Sequence, residues 1–293
     1  MASIVINPFT GQFDIVGISG GGGGGVSTLN GLSGALTVVA GSGITVTPSG
    51  SNITIAATSF DPTIGVHLFE DFLAGWYSPT TGQIEGDGPA WNSIQLGAPT
   101  FVVNSGSIVP TTAANPGILQ ISVAATGTDG GGITTGIYTG NTFPAFVLGG
   151  GIITFETLIK IPVISDGTNN TQLNIGFRDS PGWAAATSGW NIQYQRESSL
   201  NWQLLVTAAS TQTTLDSGIP VTTGWHHIKL VSNAAGTSIA GFIDGVSMGT
   251  AITTNIPSVA LPPMITLRKT LGAAAMYLGI DYIKIDKTLS VAR

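Results

Sequence analysis

The stretch PGWAAATSGWNIQYQRES, followed closely by NWQ, gathers Trp183, Trp190, Gln193, Tyr194, Arg196 and Trp202 in one short segment. Aromatic faces beside planar amides and a guanidinium are the groups that hold a sugar, the rings covering its C–H face and the polar groups fixing its hydroxyls. The alternation along the segment divides these groups. Trp190, Ile192 and Tyr194 fall on one face of a strand, and Asn191, Gln193 and Gln195 on the other. Two readings follow: a binding face, or aromatic core packing beneath a polar outer face.

Other chemistry is thinly represented. Glycoside hydrolysis needs two carboxylates placed across the scissile bond, and no E-x-D-x-x-E text occurs. Glu156 is followed by Thr, Leu and Ile. Glu70 and Asp71 are adjacent and so point apart, and Asp281 and Asp286 face opposite sides of an unbulged strand. His226 and His227 are adjacent too, which denies them a shared metal, and His67 is remote. The loops TGTDGG and DGTNN offer Asp129, Asp166 and Asn170 as oxygen ligands for calcium. Neither has a dedicated calcium-loop pattern, and Asx-Gly is ordinary turn chemistry. The run Gly20–Gly25 lacks the following Lys and helix of a phosphate-binding loop. It reads as a slack tether, or as backbone packed closely against copies of itself.

Composition narrows the field further. Charged residues are 8% of 293, against roughly 25% in an average soluble protein. Hydrophobic residues are 42%, enough for a large core, and glycine contributes 42 residues. The net charge is -6 and no basic run occurs, so a nucleic-acid partner is not expected. Without cysteine, disulfides and thiolate chemistry are excluded. The N-terminus lacks the basic and apolar regions of a signal peptide. No apolar run approaches the roughly 18 residues of a membrane helix.

The elements that must position these groups are strands. GIITFETLIKIP sets Ile153, Phe155, Thr157, Ile159 and Ile161 on one face, and Thr154, Glu156, Leu158 and Lys160 on the other. ILQISV, QLNIGFRD, WNIQYQ, WQLLVTA, HHIKLVS, SIAGFIDG, MITLRK and MYLGIDYIKID are further strand candidates. No window has helical periodicity, so the fold class is all-β, a sandwich or barrel. Four zones are expected. Residues 1–18 form an extended docking peptide whose anchors include Asn7, Pro8, Phe9 and Phe13, and 19–25 a glycine linker. Residues 26–58 hold a β-hairpin built on Ile44, Val46, Ile53 and Ile55 around PSGSN, and 59–293 the sandwich. A lone hairpin is marginal in water, so copies of the chain are expected to cover it.

GWHHIKLVSNAAGTSIAGFIDGVSMGTAI resembles the laminin-G and concanavalin A-like jelly-roll family, with Asp244-Gly245 at the end of a strand. LGIDYIKID is similar to that family's last strand, which returns beside the first, and HLFEDFLAGW to its opening. The resemblance covers roughly residues 65–288. It implies a β-sandwich of lectin type, with calcium as an optional ligand. NPFTG and LNGLSGALTVVAGSGITVTPSGSNITIA resemble segments of tailed-bacteriophage fibre and appendage proteins. That likeness implies a non-enzymatic virion protein, made in the host cytoplasm, docked by its N-terminus and often trimeric. Its jelly roll would be displayed towards host surface polysaccharide, with no membrane partner. A capsid decoration protein and a glycan depolymerase on the same scaffold are the alternatives.

Overall fold

The computed structural model describes residues 3–6, 13–16, 28–29, 32–33, 44–49, 52–57, 63–73, 76–78, 83–85, 91–104, 106–124, 129–135, 146–181 and 184–292. The chain divides into two compact units, Met1–Ser59 and Phe60–Arg293. Asn7, Pro8, Phe9, the run Gly20–Gly25 and Trp183 lie outside the described residues.

Among its described residues the first unit holds three antiparallel pairs. β1 (Ser3–Ile6) pairs with β2 (Phe13–Val16), β3 (Thr28–Leu29) with β4 (Leu32–Ser33), and β5 (Ile44–Ser49) with β6 (Asn52–Ala57). The backbone of Phe13 is thus paired, opposite Ile6. The last pair is the hairpin that the Ile/Thr alternation predicts, with Val46 opposite Ile55 and Pro48 opposite Ile53. Ile53 and Ile55 are 57% and 62% exposed, so this hairpin has an apolar surface left open to water.

The second unit contains β7 (Gly65–Glu70), β8 (Trp76–Ser78), β9 (Gln83–Glu85), β10 (Trp91–Leu96), β11 (Thr100–Val103), β12 (Leu119–Val123), β13 (Gly130–Thr134), β14 (Gly151–Ile161) and β15 (Asn170–Arg178). It continues with β16 (Gly189–Gln195), β17 (Asn201–Ala208), β18 (Thr211–Pro220), β19 (Gly224–Ser232), β20 (Ile239–Ile243), β21 (Val246–Ser247), β22 (Pro263–Leu271) and β23 (Met276–Leu289). One sheet has the order β18-β17-β16-β15-β22-β13-β10-β9-β8. The other runs β11-β12-β23-β14-β19-β20-β21, with β7 also on β23. All pairings are antiparallel and no helix occurs among the described residues. The unit is an all-β sandwich, and its first strand pairs with its last, Leu68 opposite Ile285.

One hydrophobic cluster joins the sheets. Ile153, Phe155, Ile159 and Ile161 of β14 enter it from one side, and Leu173, Ile175 and Phe177 of β15 from the other. Phe155 meets Phe177 edge-on at 5.7 Å, and Phe177 stacks on Trp190 at 4.1 Å. Alternation drives this: burying one face of each strand removes apolar surface from water at about 25 cal/mol per Å². Asp244 and Gly245, both with positive φ, turn β20 back into β21, as a two-residue hairpin requires.

β13 shows a different constraint. Its sequence is GGGIT, and a Cβ on Gly131 would lie 2.9 Å from Ile121 and Pro99. One on Gly132 would lie 2.6 Å from the Ile265 carbonyl and from Thr266 Cγ2. These glycines are strand residues because their neighbours leave no room for side chains.

Candidate functional site

On the face of the nine-stranded sheet opposite the core, the polar residues of β15, β16, β17, β18 and β22 line up across the strands. Gln172 of β15 lies between Gln195 of β16 and Arg268 of β22, and Asn174 between Gln193 and Thr266. Thr207 lies opposite both Gly189 and Gln212. These rows form a groove of about 440 Å³, lined by Gln172, Arg178, Gln193, Gln195, Ser198, Leu205, Thr207, Ser210, Gln212, Arg268 and the chain at Ala184–Ala186. The volume falls in the range of ligand sites, about 300–1,000 Å³. Among the described lining residues there is no Asp or Glu.

Asn174 organises the floor. Its side-chain oxygen accepts from Arg178 Nη1 at 2.8 Å, Gln193 Nε2 at 2.8 Å and Asn191 Nδ2 at 3.2 Å. Arg178 also donates from Nε to the Ser180 carbonyl and from Nη2 to the Ala184 carbonyl, each at 3.3 Å. Arg178 is 5% exposed and forms no ion pair among the described residues. Burial pulls its pKa down to about 10, against the upward pull of Asp179. It therefore stays charged at neutral pH while enclosed by neutral partners.

The structure corrects the aromatic part of the expected sugar site. Trp190 and Trp202 are 0% exposed, Tyr194 is 2% exposed, and all three belong to the core cluster. The indole N–H groups of both tryptophans and the Tyr194 hydroxyl have no hydrogen-bond partner, so these residues pack rather than recognise. The reason is parity. Every second residue of β16 and β17 must face the other sheet, and the largest apolar surfaces are the ones that gain by it. Gln193 lines the groove, on the opposite face. Arg196 is turned away, donating to the Ser165 carbonyl at 3.0 Å and lying over Gly167.

The oxygens considered for calcium are spent on turns. Asp166 Oδ1 accepts the N–H groups of Thr168 and Asn169, and Asn170 Oδ1 that of Gly167. Asp129 is buried beside Gly97. No group of three or more His, Asp or Glu suited to a metal occurs among the described residues.

Elsewhere the carboxylates are engaged. Burial pushes the Glu156 pKa up, but Lys229 at 2.9 Å, Lys284 at 3.7 Å and His227 hold it below the usual value. Asp286 pairs with His67 and with Lys284 at 2.9 Å. His226 Nδ1 lies 2.8 Å from Asp244, and its Nε2 lies 2.9 Å from the Thr222 carbonyl, an acceptor only. That nitrogen must carry a hydrogen and is not a base for the Thr222 hydroxyl.

The parity argument for Asp281 and Asp286 also needs correction. The β14–β23 register shifts so that Leu158 meets Tyr282 while Ile159 meets Ile280, leaving Asp281 as an extra residue. Burial raises the Asp281 pKa; Asn115, donating at 3.0 Å, opposes the rise, and Asp71 adds to it. A raised carboxyl weakens the fold wherever it is ionised, and the penalty disappears as the pH falls through its folded pKa. Asp281→Asn is therefore expected to raise Tm by about 1–3 °C at pH 7. That gain should fade as the pH falls towards the ordinary value of 3.8. Thermal melts of both proteins across this pH range check it.

No protein-family model matches the sequence, and no curated protein is significantly similar to it. Solved structures do resemble its fold. The Emp47p carbohydrate recognition domain is 11% identical with a TM-score of 0.48, covering 79% of this chain and 100% of that one. A botulinum neurotoxin type C, whose cell entry depends on two ganglioside molecules, is 10% identical with a TM-score of 0.47 over 78% of this chain. The match spans 48% of the toxin chain, about half its length. A β-1,3-glucanase from Mycobacterium marinum is 13% identical with a TM-score of 0.45, covering 74% and 97%. These likenesses concern the fold alone.

Proposed function

We propose that the sandwich unit is a glycan-binding module that does not cleave its ligand, carried by a virion fibre or appendage. The groove supports the binding part. Its described lining supplies amides, hydroxyls and guanidinium groups, together with Leu205 and three alanines for a sugar's apolar face. It offers no carboxylate pair for acid–base cleavage. The low-charge, Gly/Thr-rich first unit and its likeness to fibre segments support the particle-borne part. The open Ile53 and Ile55 surface of β5 and β6 supports assembly, with three chains as the expected number.

The test is a glycan array probed with the full chain and with Gln193→Leu, alongside light scattering and a reducing-end assay. The expected results are binding by the native chain, a loss of at least about tenfold in the variant, and a mass of three chains. Undiminished binding by the variant would move the site elsewhere. New reducing ends would make the protein a depolymerase, and a monomer would remove the assembly.

A further inference from the structure

We propose that the groove is built for an acidic glycan, its uronate carboxylates held by Arg178 and Arg268. This rests on the reading of the groove as a glycan site and names the class of glycan. The chain has nine Lys and Arg residues in all and a net charge of -6, yet two of its arginines line this one groove.

Arg178 is enclosed, and its hydrogen-bond partners are an amide oxygen and two carbonyls. Those bonds use three of its five N–H groups. Arg268 has an Nε that is buried and without a partner. Three acids on or beside these strands already accept hydrogen bonds from neutral groups. Asp179 accepts from the Thr187 and Ser188 amides and the Thr187 hydroxyl. Glu197 accepts from the Thr270 hydroxyl at 2.5 Å. Asp216, opposite Gln203 at the edge strand, accepts from Ser199, Asn201 and the Gly218 amide.

A buried guanidinium without an ion pair, as at Arg178, and a buried N–H without an acceptor, as at Arg268 Nε, are each costly to a fold. A ligand carboxylate removes that cost, because the planar guanidinium fork matches two carboxylate oxygens. The flanking glutamines, Gln172, Gln193 and Gln195, then face the hydroxyls of the same sugar. The overall negative charge does not oppose this, since charges close to a partly enclosed groove dominate its local field.

The test is titration calorimetry of the full chain with oligoglucuronate, oligogalacturonate, oligomannuronate and oligoguluronate, each beside its carboxyl-reduced form. At least one uronate should bind tenfold or more tightly than its reduced counterpart and weaken as salt is added. Arg268→Gln should lose that preference. Asn174→Asp places a carboxylate of the protein's own against Arg178, so it should melt no lower than the native chain and still lose the preference. Equal binding of uronate and reduced forms, or retained preference in both folded variants, overturns the proposal. Binding of neutral glycans alone would overturn it and leave the glycan reading standing, whereas an array with no bound glycan of either kind would remove both.

Discussion

Trp190→Ala is expected to destabilise the sandwich by about 3–5 kcal/mol, the range for removing a large buried aromatic. Trp190 is fully enclosed, stacked on Phe177 at 4.1 Å, and Phe177 in turn meets Phe155 and Phe146 edge-on. The cavity would open in the middle of the core, where the facing sheet is already close-packed and cannot collapse into it. The midpoint of thermal unfolding of the full chain should fall by about 10 °C. Well below that midpoint glycan binding should persist, because the groove lies on the other face of the strand. Unchanged stability with lost binding would return Trp190 to the surface as a sugar platform.

Asn174→Ala is expected to lower stability by about 3 kcal/mol, although it deletes only a small polar side chain. The oxygen it removes is the shared acceptor for Arg178, Gln193 and Asn191. All three donors are at least nine-tenths buried, so water does not readily replace the lost acceptor. The unsatisfied guanidinium is the largest part of the penalty. Asn174→Asp restores an acceptor and adds a counter-charge, so it should recover the loss in the same denaturation experiment. If Asn174→Ala and Asn174→Asp melt together, the network does not hold the floor of the groove.

Much of the architecture is legible where alternation is strong. β14 alternates buried positions with half-buried or, at Ile152, exposed ones along its whole length, as its sequence predicts. β15, β16, β17, β19, β22 and β23 fall where the period-two runs put them. β18 did not stand out, because TQTTLDSGIP is made of turn-forming and polar residues; it becomes a strand by pairing with β17 at the sheet edge. β13 was hidden more deeply, since GGGIT reads as a loop until Ile121, Pro99 and Thr266 are seen to exclude side chains. The extra residue at Asp281 was invisible too, because nothing local marks the strand that shifts against it.

The groove divides along the same line. Sequence alone established that WNIQYQ has an aromatic and an amide face, because a strand's side chains alternate whatever surrounds it. It also established an all-β chain poor in charge, without cysteine or a basic run. Only the tertiary structure decided that the aromatic face turns inward, since that depends on a second sheet arriving to bury it. Only the tertiary structure brought Arg178, Gln193, Gln212 and Arg268 to one groove from four strands. Cross-strand register makes neighbours of residues far apart in the chain, and register is set by the whole sheet rather than by any one segment.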